Sequence, residues 1–329
     1  MQININTKGT YIHVKDDMFE VKIPSDSGDV QKFHYSAKKV TCIVLAQGIA
    51  LSTDAVKLAI TNNIDIIFTE DDGFPLGRVW HSKLGSTTKI RKKQLEASMN
   101  NIGVKWIKDW IGAKLQNQVD FLNDLKKHRK EKADFIDEKI KNIINLKNSL
   151  MLLNASLSNE IADIIRGLEG TSGRIYFETL ANLIADEYKF NGRSSRPAKD
   201  PFNAFLNYGY GVLYYKIEKV LIIAGIDPYL GFLHRDDYNQ LSMVYDFIEP
   251  YRIYPERVVL KLFSAKRVNK SHTDEITNGY TLNKEGKVLL MENFTKYMDE
   301  ETIRYKGRNQ TRSNSIQFDA HNFANSLIK

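Results

Sequence analysis

Asn101-Ile-Gly-Val-Lys-Trp106-Ile-Lys-Asp-Trp110-Ile-Gly-Ala-Lys-Leu115-Gln-Asn-Gln-Val119-Asp-Phe121-Leu122-Asn-Asp-Leu125 is where the chain changes character. Ile102, Trp106, Trp110, Leu115, Val119, Phe121, Leu122 and Leu125 recur at near-helical spacing, which predicts a long amphipathic helix over residues 101–130. C-terminal to it the same period continues. Helices are predicted over 134–150 and 154–187, the latter with Ile161, Ile164, Ile165 and Leu168 as its apolar stripe. A proline-bounded loop follows over 190–201, and helices resume at about Asn203. The tail from Ser271 is polar with weaker periodicity.

N-terminal to about Lys89 the pattern is different. Residues 10–15, 18–23 and 32–35 alternate and are rich in β-branched and aromatic side chains, so they read as short strands joined by Asp and Gly turns. Residues 40–45 read as a more buried strand, closed by Gln47-Gly48. A helix is predicted over 51–60, with Ser52 as N-cap and Asp54 in its first turn. Strands return at 63–68 and 77–81. The fold class is therefore α+β. A small, mostly-β N-terminal domain, residues 1–90, precedes a larger all-α domain, residues 91–329, that carries the catalytic candidates.

The chain has 329 residues, enough for two cores without disulfides or structural metal. Its single cysteine, Cys42, lies in an apolar run and reads as a core side chain. Met1-Gln-Ile-Asn-Ile-Asn-Thr-Lys8 lacks the apolar segment of a signal peptide, and the most apolar run, 220–226, is too short to span a bilayer. A cytoplasmic protein with no membrane partner is expected. Lys and Arg number 47 against 40 Asp and Glu, a net charge of +7 that favours a polyanionic partner.

Chemistry-bearing residues concentrate late in the chain. His234 ends an apolar stretch, and neutral imidazole is a competent metal ligand. Asp246 and Glu249 stand three apart, beside the stripe Leu241, Val244 and Ile248. On one helix they would be partly buried neighbours that repel unless a cation lies between them. Glu169 sits between Gly167 and Gly170, the latter allowing close approach of another element. Glu178 is a rival carboxylate that spacing does not eliminate. Carboxylates with one histidine suit Mg²⁺ or Mn²⁺ better than structural Zn²⁺. There is no HExxH, CxxC, Walker loop or GxGxxG. Taken singly, each of these residues also reads as an ordinary core or surface side chain. Among the basic clusters, the loop with Arg193, Arg196 and Lys199 is the best phosphate-contact candidate, because it also offers the Ser194 and Ser195 hydroxyls.

In order along the chain, Leu168-Glu169-Gly170, Ser195-Arg196-Pro197, Asp200-Pro-Phe-Asn203-Ala, Asn207-Tyr-Gly-Tyr210-Gly-Val-Leu213, Gly225-Ile-Asp-Pro228, Gly231-Phe-Leu-His234 and Tyr245-Asp246-Phe-Ile-Glu249-Pro-Tyr-Arg252 resemble CRISPR-associated protein one. That family is the integrase and endonuclease of CRISPR spacer acquisition, an arm of antiviral defence. The resemblance extends into the first domain through Leu51-Ser-Thr-Asp-Ala-Val56 and Gly77-Arg-Val-Trp80. It implies a homodimer, a complex with the small ferredoxin-like CRISPR-associated protein two, and double-stranded DNA as substrate. It also implies one divalent ion, Mg²⁺ or Mn²⁺, held by Glu169, His234 and Glu249, with Asp246 in support. Many members carry aspartate where this chain has Glu249. Arg193, Arg196, Lys199, Tyr210, Tyr214 and Arg252 are the near-site DNA-contact candidates. The implied reaction is attack by the 3′-hydroxyl of a short duplex on a phosphodiester at the edge of a CRISPR repeat. A transposase of the same fold, a general metal-dependent nuclease and a non-catalytic DNA-binding scaffold are the alternatives.

Overall fold

The computed structural model describes residues 1–25, 29–70, 73–80, 87–234 and 240–329. The chain divides into two compact units, Met1–Leu84 and Gly85–Lys329.

The first unit contains β1 (Gln2–Ile5), β2 (Tyr11–Lys15), β3 (Met18–Pro24), β4 (Val30–Ser36), β5 (Cys42–Leu45), β6 (Ala50–Leu51), α1 (Thr53–Thr61), β7 (Asp65–Thr69) and β8 (Pro75–Val79). They form two four-stranded sheets, ordered β1-β5-β7-β8 and β4-β3-β2-β6. In the first, β1, β5 and β7 run parallel and β8 antiparallel. All four residues of β5 are buried, as suits the interior of a parallel array. Ile12, Phe19, Val21, Ile43, Leu45, Ala55 and Ile66 share one core. The hairpin β2–β3 turns at Asp16 and Asp17, both with φ near +50° to +56°, the backbone of a tight two-residue turn. Ser52 caps α1 by accepting from the Ala55 amide at 3.2 Å. β1 is not among the predicted strands, because two isoleucines in four residues give too little periodicity to read. The predicted strand over 77–81 is found as β8; its His81 lies outside the described residues.

The second unit is helical: α2 (Thr87–Ser98), α3 (Asn101–Lys126), α4 (Ala133–Leu152), α5 (Ala162–Leu183), α6 (Pro201–Ala224), α7 (Ser242–Phe247) and α8 (Ile253–Ser264). After them come β9 (Thr273–Ile276), β10 (Gly279–Leu282), α9 (Lys284–Thr295), β11 (Thr302–Tyr305), β12 (Arg308–Thr311) and α10 (Arg312–Ile328). The expectation of an all-α domain is amended by the hairpins β9–β10 and β11–β12. Their strands are four residues long and polar, so neither period registers in the sequence. Their turns carry the cue instead, at Thr277-Asn278 and Lys306-Gly307, with positive φ at Asn278, Lys306 and Gly307.

α3 packs on α4 and α5, while α6 packs on α8 and α10. Trp110 of α3 anchors an aromatic cluster, stacked on Phe232 and edge-on to Phe247 and Phe323. α6 starts at Asp200, which accepts from the Asn203 amide at 2.7 Å. A Cβ at Gly209 would come within 2.9 Å of Pro255, so glycine sets how closely α6 and α8 approach. Among the described residues no helix is long and apolar enough to cross a membrane.

Candidate active site

A cavity of about 610 Å³ opens in the second unit, and Glu169, His234 and Glu249 all line it. Each arrives from a different element. Glu169 is in the first half of α5; His234 follows the Gly231-Phe-Leu segment; Glu249 begins a short 3₁₀ turn after α7.

His234 is held by Asp246. The Asp246 carboxylate is 1% exposed and accepts from the backbone amides of Phe232, Leu233 and His234 at 2.5, 3.0 and 3.2 Å. It also takes His234 Nδ1 at 2.6 Å. This fixes the ring and leaves Nε2 without a hydrogen-bond partner among the described residues. A carboxylate behind an imidazole is how metal-ligating histidines are usually oriented. Gly231 makes this possible: a Cβ there would lie 2.7 Å from Ser242 and 3.0 Å from Asp246 Oδ2. Phe232 is pinned by Trp110 and by the Ser158 hydroxyl, which donates to its carbonyl.

The expectation for Asp246 and Glu249 needs correction. They do not form a carboxylate pair on one helix face. α7 ends at Phe247, Glu249 opens a new turn with Pro250 as its second residue, and both acids are fully buried and turned to different partners. Glu249 Oε1 accepts from Arg252 Nε at 2.8 Å, and its Oε2 accepts from Lys114 Nζ at 2.6 Å. The same ammonium donates to Glu169 Oε1. Burial alone would raise the Glu249 pKa, but Arg252 and Lys114 overrule it and hold the carboxyl down at about 2. Burial would likewise lower the Lys114 and Arg252 pKa values; the carboxylates of Glu249 and, for Lys114, Glu169 keep both cations charged. Arg252 also donates to the Tyr214 hydroxyl at 3.1 Å and lies over the Tyr210 and Tyr214 rings.

Glu169 and Glu178 both line the cavity, and they differ in their surroundings. Glu178 lines the cavity as an exposed side chain, whereas Glu169 shares a cation with Glu249. Gly170 does not serve a close approach: a Cβ there would meet no atom within 4 Å, and the same holds for Gly173. Both glycines line the cavity and keep its wall low. Of the basic candidates, Arg193 and Arg252 line the cavity, as does Tyr210. Arg193 is braced by Asn203 Oδ1 at 3.0 Å and Asn207 Oδ1 at 2.5 Å. Arg196, Lys199 and Tyr214 are not among the lining residues. Lys199 donates to the Asn278 carbonyl at 3.0 Å, and Tyr280 of β10 donates its amide to Ala198, so a hairpin secures the basic loop.

The model of the family described as CRISPR associated protein Cas1 matches residues 3–296. The curated CRISPR-associated endonuclease Cas1 1 of Archaeoglobus fulgidus is 31% identical over 331 residues, covering 97% of this chain and 94% of the relative. The chain belongs to the Cas1 family. Solved structures show the same fold. A CAS1 protein from Thermotoga maritima superposes with a TM-score of 0.80 at 22% identity, covering 99% of this chain and 96% of that one. A casposase bound to integration product gives 0.87 at 21% identity, covering 99% of this chain and 90% of that one.

Two residues of this Cas1 site escape sequence reading. Lys114 occupies the buried stripe of α3 with Ile107, Trp110, Ile111 and Gln118, a place where an apolar side chain is expected. Glu256 occupies the buried stripe of α8 and lines the same cavity. Tyr210 donates to its Oε1 at 2.6 Å, and burial raises its pKa. A charged residue on an apolar stripe is the signal in both cases.

The donor set fits a hard divalent ion in chemistry: two carboxylates already gathered on one cation, and an imidazole whose tautomer is fixed. Among the described residues no three of His, Cys, Asp or Glu draw together as a metal-holding group, because Glu169 and Glu249 close on the Lys114 ammonium instead.

Proposed function

We propose that this Cas1-family chain is a metal-dependent DNA integrase and endonuclease that inserts short duplexes into a CRISPR array. The observation that carries the reading is the shared cavity, where Glu169 and Glu249 share one cation and His234, oriented by Asp246, lines the same space. Glu169, His234 and Glu249 would hold Mg²⁺ or Mn²⁺. Such an ion supplies positive charge to the phosphoryl transition state and lowers the pKa of an attacking hydroxyl.

The protein's own part is positioning and charge neutralisation, which dominate phosphoryl transfer. Arg252, locked by Glu249 and stacked on Tyr210 and Tyr214, presents fixed positive charge at the cavity. Arg193, braced by two asparagines, presents a second. Low walls at Gly170 and Gly173 leave room for a sugar-phosphate backbone. The 3′-hydroxyl of the incoming duplex loses its proton and bonds to phosphorus. The displaced 3′-oxygen of the repeat strand takes a proton. One phosphodiester replaces another, so no nucleotide hydrolysis is required. Double-stranded DNA, a second copy of this chain and the small CRISPR-associated protein two complete the proposed assembly.

The test is an integration assay with a labelled 3′-hydroxyl duplex and a supercoiled repeat-bearing plasmid, with and without the small partner. Label joined to plasmid in Mn²⁺ or Mg²⁺, absent in EDTA and in folded His234→Ala, is the expected result. Cutting without joining would assign a nuclease instead. Binding without chemistry under every condition would assign a scaffold.

A further inference from the structure

We propose that Lys114 is a displaceable internal counter-cation: its ammonium holds Glu169 and Glu249 in the metal-free protein and leaves them when a divalent ion binds. This rests on reading Glu169, His234 and Glu249 as the metal site.

Lys114 is 9% exposed, and its Nζ donates to Glu169 and to Glu249. Without a cation, the buried Glu249 carboxylate and the partly exposed Glu169 carboxylate would repel each other, a costly arrangement for the buried member. The ammonium removes that cost, so the site is satisfied before metal arrives. An ammonium and a divalent ion cannot occupy the same two carboxylate oxygens, because both need direct contact with them and they repel each other strongly at that separation.

The two cations beside Glu249 differ in freedom. Arg252 is a planar group fixed at both ends, by Glu249 Oε1 and by the Tyr214 hydroxyl. Lys114 is a point charge on a four-carbon stem, with the cavity beside it. Lys114 is therefore the one that yields. An acceptor lies in the same cavity: the buried Glu256 carboxylate, whose Oε1 accepts from the Tyr210 hydroxyl and on which the Lys114 charge already acts. Once displaced, the ammonium stays in the cavity, and its charge becomes available to a DNA phosphate.

The displacement predicts that metal affinity is held down by Lys114. Mn²⁺ binding, followed by electron paramagnetic resonance of free Mn²⁺, would be compared for the wild type, Lys114→Met and His234→Ala. Lys114→Met is expected to bind about tenfold tighter or more than the wild type, and His234→Ala more weakly. The second measurement needs no variant. Reductive methylation of wild-type lysines, read by peptide mass spectrometry, should find Lys114 protected without metal and labelled with Mn²⁺. Binding that depends on His234, with unchanged or weaker affinity in Lys114→Met or unchanged Lys114 labelling, overturns the displacement and leaves the metal site standing. Absence of Mn²⁺ binding in both the wild type and Lys114→Met overturns the metal site, and the displacement with it.

Discussion

Asp246 gathers three consecutive backbone amides and one imidazole onto a single buried carboxylate. Its removal strands those donors in the interior, whereas removal of His234 does not. His234 has a side chain 37% exposed and spends one bond on Asp246, which keeps its backbone partners. The two substitutions should therefore separate structure from chemistry. Asp246→Ala should lose about 3–5 kcal/mol of unfolding free energy, as for removal of one partner from a buried ionic group. His234→Ala should lose under about 1 kcal/mol while ending strand joining. Urea denaturation of both variants measures this directly. Equal destabilisation would mean that the imidazole is a structural part rather than a reactive one.

At the scale of elements, the sheet β4-β3-β2-β6 holds a charge cluster that belongs to no site motif. Glu20 on β3 is 2% exposed although it lies on the face opposite the core residues Phe19 and Val21. The register places His13 of β2 and His34 of β4 directly across from it, and they contact its carboxylate at 2.6 and 3.0 Å, with Lys22 at 3.3 Å. Burial works to raise the Glu20 pKa, but His13, Lys22 and His34 prevail and take it from 4.5 to about 2. A carboxyl whose pKa is depressed on folding contributes stability that is full above the unfolded value and lost as pH falls through the folded one. Glu20→Gln should thus lower the melting temperature of this domain at about pH 5, and the gap should close between about pH 4.5 and 2. Thermal melts across that window check it, and a gap unchanged at pH 3 would show that Glu20 is not held ionised. Nothing in the alternation of Met18-Phe-Glu-Val21 announces this cluster, since cross-strand neighbours are set by register. The same limit explains the reactive site. Ser52 as a cap, α3 as a long helix and the division into a strand-rich and a helical part are local matters, and local spacing predicts them. Glu169, His234 and Glu249 could be placed in one site only by family resemblance. Lys114 meets Glu169 and Glu249 across 55 and 135 residues, a pairing no periodicity encodes. Pro250, by contrast, is a local signal, and it ends the helix that apolar spacing alone would carry through Glu249.

For the whole molecule, the distribution of charge narrows where the proposed DNA partner would lie. Met1–Leu84 carries nine Lys and Arg against ten Asp and Glu, while the full chain carries 47 against 40. The entire positive surplus therefore belongs to Gly85–Lys329, the unit that contains the cavity. Within it, two of the exposed basic segments are candidates for contact with the phosphates of the proposed DNA partner. One is the loop with Arg196 and Lys199, secured by β9–β10; the other is the β11–β12 hairpin with Arg304, Lys306 and Arg308. The loop has the stronger claim, because Arg193 at its start lines the cavity. Each phosphate neutralised by a side chain releases counterions and steepens the dependence of affinity on salt by about 0.9 per contact for duplex DNA. Arg196→Ala with Lys199→Ala should accordingly flatten the slope of log affinity against log salt by about 2, with the same loss for any duplex sequence, since backbone contacts carry no base information. Fluorescence anisotropy of a labelled duplex between 50 and 200 mM salt, a range chosen because such contacts are then strongly expressed, gives the slope. His234→Ala leaves it unchanged on this reading. A slope that is indifferent to the loop pair but falls on Arg304→Ala with Arg308→Ala would move the DNA path to the hairpin, beyond the residues matched by the family model.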